Sequence, residues 1–149
     1  MIAIIDYGLG NVQAFVNVYN RLDIPVNVAK SIDDLVGTTK IILPGVGSFD
    51  RAMQQFNSSG MRKLIEQLVL EEGIPILGVC VGMQMLANSS EEGKLPGLGW
   101  VDSNVKKFNV TSMLQSQNLP HMGWNNVRSE MEDGLFNDMK GKKRFYFLH

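Results

Sequence analysis

The sequence is poor in cysteine, histidine and net charge. Its 149 residues include one cysteine and two histidines, and fourteen basic residues nearly balance fifteen acidic ones, for a net charge of −1. One cysteine cannot form a disulfide within the chain, and neither sign of charge occurs in a long run. We therefore expect no binding to nucleic acid or to an anionic membrane surface, and we expect a reducing, cytoplasmic setting.

The sequence also lacks a signal peptide and a membrane span. No basic flank, long apolar stretch and cleavage site occur at the N-terminus. No apolar run approaches the roughly 20 residues that cross a bilayer. Aliphatic side chains and nine methionines supply the apolar content, while aromatic residues make up 8%. This length and composition predict a single domain, residues 1–149, with a substantial core.

Short apolar runs alternate with amphipathic segments up to Ala87. Strands are predicted at 2–6, 24–29, 39–43 and in the first half of 74–84, and helices at 12–22, 49–56, 61–69 and from Met83 to Ala87. Asn11 is a predicted N-cap, and Ser31 with Asp34 resembles a capping box before a short helix. The alternation predicts an α/β fold with a doubly wound, mostly parallel sheet flanked by helices, and with ligands at the carboxyl ends of the strands.

Beyond Ala87 the pattern changes to short strands and turns. Residues 89–93 predict a polar loop, and residues 99–108 predict short strands with turns. A compact loop leading into a strand is predicted at 120–127, and an aromatic strand at 145–149. We therefore expect additional short strands in the C-terminal half.

The segment 74–84 organises the chain. Its branched apolar residues predict a strand buried on both faces, as in the middle of a parallel sheet. Gly78-x-Cys80-x-Gly82 then matches the nucleophile elbow G-x-S-x-G, with sulfur in place of oxygen. We expect a sharp turn that exposes Cys80 at a helix N-terminus, where the helix dipole favours thiolate. The alternative is a buried structural cysteine, and the two glycines favour the nucleophile.

Two other glycine-rich turns follow predicted strands. Gly8-Leu9-Gly10 lacks the third glycine of a dinucleotide site, which favours a simple tight turn. Pro44-Gly45-Val46-Gly47 leaves backbone N–H groups approachable at the carboxyl end of a strand, and such donors can stabilise an oxyanion. An ordinary β-to-α turn has the same composition, so this segment alone does not distinguish an oxyanion site from a simple turn.

Six segments together resemble the class I, or triad-type, glutamine amidotransferases. Within that family they are most similar to the glutaminase subunits of imidazole glycerol phosphate synthase. Pro120-His121-Met122-Gly123-Trp124-Asn125 narrows the resemblance to this subfamily. The six segments are 4–11, 43–47, 78–84, 90–93, 120–125 and 145–149. The resemblance implies the flavodoxin-like fold of these amidotransferases and no cofactor or metal.

The resemblance also implies a chemistry for the elbow. Cys80 corresponds to the nucleophile that attacks the side-chain amide of glutamine, giving a glutamyl thioester and ammonia. Gln84 and Glu92 correspond to contacts with the substrate glutamine. The oxyanion hole corresponds to the N–H of Val81 together with the backbone of Gly45, Val46 and Gly47.

A partner protein is a further implication. In this family ammonia passes to a (β/α)₈ barrel, which uses it to build imidazole glycerol phosphate in histidine biosynthesis. Asn11, Trp124 and Tyr146 match family positions near the docking face. We expect Trp124 on an exposed rigid loop, where tryptophan is a frequent interface anchor. The alternative is that Trp124 covers the core.

The sequence departs from the family in two respects. The family base is the histidine of a C-terminal Phe-His-Pro-Glu segment, which is absent here, and His121 and His149 belong to other segments. We therefore expect the chain to correspond to the first three-quarters of such a subunit, without its catalytic histidine and glutamate. In addition, Val81 stands where the family usually has leucine, and Ser103 where it tends to have glycine. Both departures fit an alternative, a paralogue that supplies ammonia for sugar modification in surface-polysaccharide pathways.

Two other hypotheses remain. A different protein with a cysteine elbow on this fold, such as the glutaminase of pyridoxal phosphate synthesis or a DJ-1-like stress protein, is disfavoured by the segment 120–125. A catalytically silent docking module for the barrel is favoured by the missing base.

Overall fold

The computed structural model describes residues 1–109, 119–130 and 134–148. Backbone contacts divide the chain into two compact units, Met1–Lys107 (unit 1) and Phe108–His149 (unit 2). Among the described residues, no helix has the length and apolar content needed to cross a lipid bilayer. The single domain expected from the sequence stays a prediction.

A parallel sheet of four strands forms the centre of unit 1. The strands are β1 (Ile2–Ile5), β2 (Val26–Ala29), β3 (Lys40–Gly45) and β4 (Ile76–Cys80), in the order β2-β1-β3-β4. All three pairings are parallel. The four strand predictions are confirmed, although β2 begins two residues later and β3 continues to Gly45.

The position predicted for β4 is wrong. In the part of the chain that the structure describes, β4 pairs with β3 alone and forms the edge of the sheet. Leu77 is 39% exposed, so the strand is not buried on both faces. A run of branched side chains indicates a strand, but it does not state how many neighbours that strand has, because edge and central strands share this composition.

Four α-helices accompany the sheet within the described part of unit 1. They are α1 (Val12–Arg21), α2 (Phe49–Ser58), α3 (Arg62–Leu70) and α4 (Val81–Met85). The predicted cap of α1 is confirmed, since the side-chain oxygen of Asn11 accepts a hydrogen bond from the Ala14 N–H at 3.1 Å. α4 has five residues and begins directly after Cys80, two residues earlier than predicted.

The predicted capping box is only half formed. One oxygen of Asp34 accepts hydrogen bonds from the Ser31 N–H at 2.9 Å and the Lys30 N–H at 3.0 Å. The hydroxyl of Ser31 donates to this oxygen as well, at 2.9 Å, instead of capping the helix. The helix itself is a single 3-10 turn, Asp33–Leu35.

The core of unit 1 lies between the sheet and the helices that follow β3. One face of β1 and β3 supplies Ala3, Ile5, Ile41 and Leu43, and the helices supply large buried side chains that include Phe49, Phe56, Ile65 and Met85. Ile4 and Ile42 alternate with these strand residues and are also buried. α1 contacts β1 and β2. The α/β fold with helices flanking a mostly parallel sheet is confirmed.

Two short strands follow α4. β5 (Ser89–Ser90) pairs in parallel with β6 (Asn104–Val105). The polar loop predicted at 89–93 is therefore wrong for its first two residues, which pair with a strand 15 residues further along. Within 99–108 only β6 is a strand.

The strands of unit 2 form an antiparallel pair. β7 (Met122–Val127) pairs with β8 (Lys143–Leu148), and Trp124 lies opposite Tyr146. The compact loop predicted at 120–127 is wrong, because most of it is strand. The aromatic strand is confirmed up to Leu148, and His149 lies outside the described residues.

Candidate active site

Cys80 occupies a strained turn between strand and helix. Its backbone has φ 57° and ψ −122°, and it is one of two residues other than glycine described with positive φ. Such a conformation costs on the order of 1–3 kcal/mol and persists where the surrounding structure enforces it. The thiol is exposed. The predicted sharp turn is confirmed, and the interpretation of Cys80 as a core residue is wrong.

Close backbone packing enforces this turn. A Cβ at Gly82 would overlap the carbonyl oxygen of Leu43 on β3, and a Cβ at Gly45 would overlap the backbone nitrogen of Gly82. A Cβ at Gly78 would lie 2.5 Å from the Cα of Met83. The glycines of the elbow are therefore required because β3, β4 and α4 approach one another without room for a side chain.

The glycine loop predicted to hold the oxyanion lies beside the elbow. Gly45 is the register partner of Cys80 in the β3 and β4 ladder, and the chain leaves the sheet at the next residue. Val46 is exposed and Gly47 has φ 87°, while Val81 is buried. The structure thus brings Gly45 and Val81 next to Cys80, and the use of their N–H groups toward an oxyanion stays a prediction.

The two residues predicted to contact glutamine differ in their surroundings. Gln84 lies on α4, four residues after Cys80, and is half-buried. Glu92 accepts a hydrogen bond from the Phe49 N–H at 3.1 Å, at the first residue of α2. Its carboxylate therefore satisfies a free N–H of a helix start, just beyond the Gly45–Gly47 loop. The contact of either residue with substrate stays a prediction.

Asp50 forms a second link between the start of α2 and residues 92–95. The sequence did not indicate this role. Its carboxylate accepts hydrogen bonds from the N–H of Lys94 at 2.9 and 3.0 Å and from the N–H of Leu95 at 3.0 Å. The backbone hydrogen bond from Leu95, followed by that from Lys94, lowers the pKa of Asp50. An acid in the first turn of a helix is common for reasons of the helix dipole, so the sequence carries no signal for this second role.

Tyr7 is another residue that the sequence analysis left without a role. Its side chain is buried, and its hydroxyl donates a hydrogen bond to the Pro44 carbonyl at 2.7 Å. Burial raises the pKa of Tyr7 to about 12. The available signal was its position two residues after β1, at the carboxyl end of the sheet, where ligands of such folds bind.

The predicted partner residues of unit 2 lie on an exposed face of the β7 and β8 pair. The Trp124 and Tyr146 rings meet edge to face with centroids 5.7 Å apart, and the Arg144 guanidinium lies 5.8 Å from the Trp124 centroid. Trp124 is 60% exposed, which confirms the predicted exposure, but it lies on a strand and not on a loop. The interpretation of Trp124 as a cover for the core is wrong. Asn11, in unit 1, is exposed and caps α1.

His121 is packed within unit 2. Its ring lies 6.3 Å from the Phe108 ring and 5.9 Å from the Phe147 ring, measured between centroids. Its Nε2 is 2.9 Å from the side-chain nitrogen of Asn125. No group of three side chains suited to bind a metal occurs in the described parts of the chain.

Comparison of the sequence with known proteins identifies a family. The model of the family described as glutamine amidotransferase class-I matches residues 3–149. The imidazole glycerol phosphate synthase subunit HisH of Bdellovibrio bacteriovorus is 58% identical over 149 residues, which cover all of this chain and 73% of that protein. The subunit of the same name from Leptospira borgpetersenii is 49% identical, with the same coverage of both chains.

A solved structure supports the fold independently of close sequence similarity. The crystal structure of a glutamine amidotransferase superposes with a TM-score of 0.71 at 19% identity, covering 99% of this chain and 70% of that one. This likeness concerns the fold alone, whereas the family model and the relatives concern the sequence. The chain belongs to the class I glutamine amidotransferase family.

Proposed function

We propose that this protein is the glutaminase subunit of an imidazole glycerol phosphate synthase in histidine biosynthesis. The observation that carries the proposal is the exposed Cys80 with positive φ, in register with Gly45 and directly before α4. A nucleophile on a strained turn beside a glycine loop suits attack on an amide carbon. The names of the two relatives described above favour this subunit over other class I amidotransferases.

The proposed reaction has two covalent steps. The Cys80 sulfur bonds to the side-chain amide carbon of glutamine, and the N–H groups of Val81 and of the Gly45–Gly47 loop stabilise the oxyanion that develops. The carbon–nitrogen bond then breaks, and ammonia leaves with a proton from the catalytic base. Water cleaves the thioester, which releases glutamate and returns the thiol. Gln84 and Glu92 bind the glutamine.

The base of this reaction is assigned to neither histidine of the sequence. His121 is packed between aromatic rings of unit 2, and the family base belongs to a segment that the 149 residues do not contain. A positioned acid–base group accelerates such reactions by about 10² to 10⁴-fold. We therefore expect little ammonia release from residues 1–149 alone.

The ammonia is delivered to a partner subunit. We propose a 1:1 complex with a (β/α)₈ cyclase in the cytoplasm, in which Asn11, Trp124 and Tyr146 contribute to the docking face. Ammonia released into water would be protonated and lost as a nucleophile, so a closed path between the two sites is advantageous. The exposure of the Trp124 and Tyr146 pair favours this role, because exposed aromatics are frequent interface anchors.

The nucleophile can be identified with a glutamine analogue that carries an electrophilic diazoketone. We expect one adduct, mapped by mass spectrometry to Cys80, with loss of ammonia release in proportion to labelling. Excess glutamine should slow the reaction, and Cys80→Ser should remain unlabelled. Equal labelling of Cys80→Ser would contradict the assignment. Formation of imidazole glycerol phosphate after addition of the cyclase then separates the histidine pathway from a surface-polysaccharide paralogue.

A further inference from the structure

We infer that Tyr7 is a positioning residue for the glutaminase site. Its buried hydroxyl holds the peptide through which β3 enters the Gly45–Gly47 loop beside Cys80. The inference rests on the proposed function, because Tyr7 can position a glutaminase site only if Cys80 is the nucleophile of one. Tyr7 itself touches neither the thiol nor the substrate.

One hydroxyl group contacts both sides of the elbow. The Tyr7 hydroxyl donates to the carbonyl oxygen of Pro44 at 2.7 Å, and the Tyr7 hydroxyl oxygen also lies 3.6 Å from the sulfur of Met85. Pro44 belongs to β3, and Met85 is the last residue of α4, the helix that begins after Cys80. Tyr7 therefore links the strand that ends in the glycine loop to the helix that follows the nucleophile.

The donor is held rigidly. Tyr7 is 4% exposed, and its ring packs edge to face on Phe56 with centroids 5.6 Å apart. The loop after β1 also packs on Pro44 through Gly10, where a Cβ would lie 2.9 Å from the Cβ of Pro44. The pKa of Tyr7, raised by burial to about 12, keeps the donated proton in place near neutral pH.

Peptide geometry carries this restraint to the loop. The carbonyl of Pro44 and the N–H of Gly45 belong to one planar peptide group and point in opposite directions. β1 and β4 lie on opposite sides of β3, and Tyr7 follows β1. A carbonyl held by Tyr7 therefore keeps the Gly45 N–H turned toward β4, in the ladder that pairs Gly45 with Cys80 and from which Val46 and Gly47 leave the sheet. Rotation of this peptide would leave the buried Pro44 carbonyl without its donor and the Tyr7 hydroxyl with only the weak acceptor sulfur of Met85, which is costly.

Tyr7→Phe removes the hydroxyl and keeps the ring. In the protein expressed from its complete reading frame, we expect kcat for glutamine hydrolysis to fall about tenfold, the loss that corresponds to one buried hydrogen bond. KM for glutamine should stay within about twofold, because stabilisation of the oxyanion acts on the transition state and not on bound substrate. Alkylation of Cys80 by iodoacetamide forms no oxyanion, so its rate should not change.

Tyr19→Phe is the matched control, since Tyr19 lies on α1 and removal of its hydroxyl should leave kcat unchanged. Each kcat is expressed per molecule of folded protein, with the folded fraction measured by urea denaturation followed by circular dichroism, so that a smaller folded fraction does not imitate the effect. An unchanged kcat in Tyr7→Phe would overturn the inference, and so would a loss of kcat accompanied by slower alkylation, which indicates a general disturbance of the elbow. A wild-type protein whose glutaminase activity survives complete alkylation of Cys80 would overturn the proposed function, and the inference with it.

Discussion

The two units hold their candidate functional residues in different ways. In unit 1 the backbone of Gly82 packs directly on the Leu43 carbonyl, and Leu43 belongs to the same core cluster as the fully buried Phe49 and Phe56. In unit 2 every described residue of β7 and β8 is half-buried or exposed, and the Trp124 and Tyr146 pair is more than half exposed. The elbow is thus positioned by close backbone packing, whereas the aromatic pair is presented on a surface.

This difference matches the two tasks proposed for the units. Covalent chemistry requires reacting atoms to be held near 3 to 3.5 Å, which rigid backbone contacts can supply. Recognition of a partner requires apolar area that is available to be covered. Substitutions at the elbow should therefore lower the stability of the protein, and substitutions on the exposed face of unit 2 should change binding with little effect on stability.

The largest effect is expected for Gly82→Ala. The new methyl group would overlap the Leu43 carbonyl oxygen, a backbone atom that cannot move without displacing β3. We expect a loss of about 3 kcal/mol in the free energy of unfolding, the upper end of the range for overpacking. Urea denaturation of the complete protein, followed by circular dichroism, measures it.

Gly73→Ala is the control for this prediction. Unlike Gly82, Gly73 has positive φ, at 69°, and a Cβ there would meet no atom within 4 Å. Its cost should be only the about 1 to 2 kcal/mol of a left-handed conformation. Equal losses in the two variants would show that the close approach of β3 and α4 is not what makes Gly82 necessary.

The elbow is the part of the site that the sequence predicts well. Two glycines around Cys80 specify a turn whose geometry depends on local backbone sterics, and the alternation of apolar runs specifies the strands on either side. Local rules of this kind can be applied to a single sequence. The predicted turn, the exposed Cys80 thiol and the order of the strands and helices are therefore present in the structure.

Contacts between distant segments could not be predicted in this way. The hydrogen bonds of Asp50 to residues 44 and 45 positions away, and that of Tyr7 to Pro44, depend on how the sheet brings loops together. The edge position of β4 likewise depends on what pairs beside it. Composition reports the tendency of a residue to be buried, and it contains no information on which segment covers it.

Trp124→Ala is expected to have a smaller effect than Gly82→Ala, and only on binding of the cyclase. If the exposed face of unit 2 docks on the cyclase, the variant should lose about 2 kcal/mol of binding free energy, or about 30-fold in Kd. Its free energy of unfolding should change by less than about 0.5 kcal/mol, because the ring is largely exposed. Titration calorimetry against the cyclase measures the first quantity and urea denaturation the second.

Leu135→Ala is the control on the same unit, since Leu135 is 73% exposed but belongs to neither β7 nor β8. It should bind as the wild type does. An unchanged Kd for Trp124→Ala would remove Trp124 from the docking face. A large loss of stability would instead show that the ring supports its own unit, and the contrast between the two units would then disappear.

The smallest effect is expected for Asp50→Asn, which tests whether hydrogen bonds at the surface of unit 1 matter as much as its backbone packing. Asparagine keeps one acceptor for the Lys94 and Leu95 N–H groups but removes the charge that strengthens these bonds. The pKa of Asp50 is lowered below its ordinary 3.8 in the folded protein. Its ionised form therefore contributes stability that is complete above the unfolded pKa and is lost as the pH falls through the folded one.

The pH dependence gives this prediction its sign. We expect the Tm of Asp50→Asn to lie slightly below that of the wild type, by a constant amount above about pH 5, and the difference to shrink as the pH falls below 3.8. Asp34, whose pKa is also lowered, is present in both proteins, so its contribution cancels in the difference. A difference that grows toward acid pH would mean that protonated Asp50 stabilises the loop. A loss as large as that of Gly82→Ala would mean that the loop at residues 92–95, and not the contact of β3 with α4, holds the elbow in place.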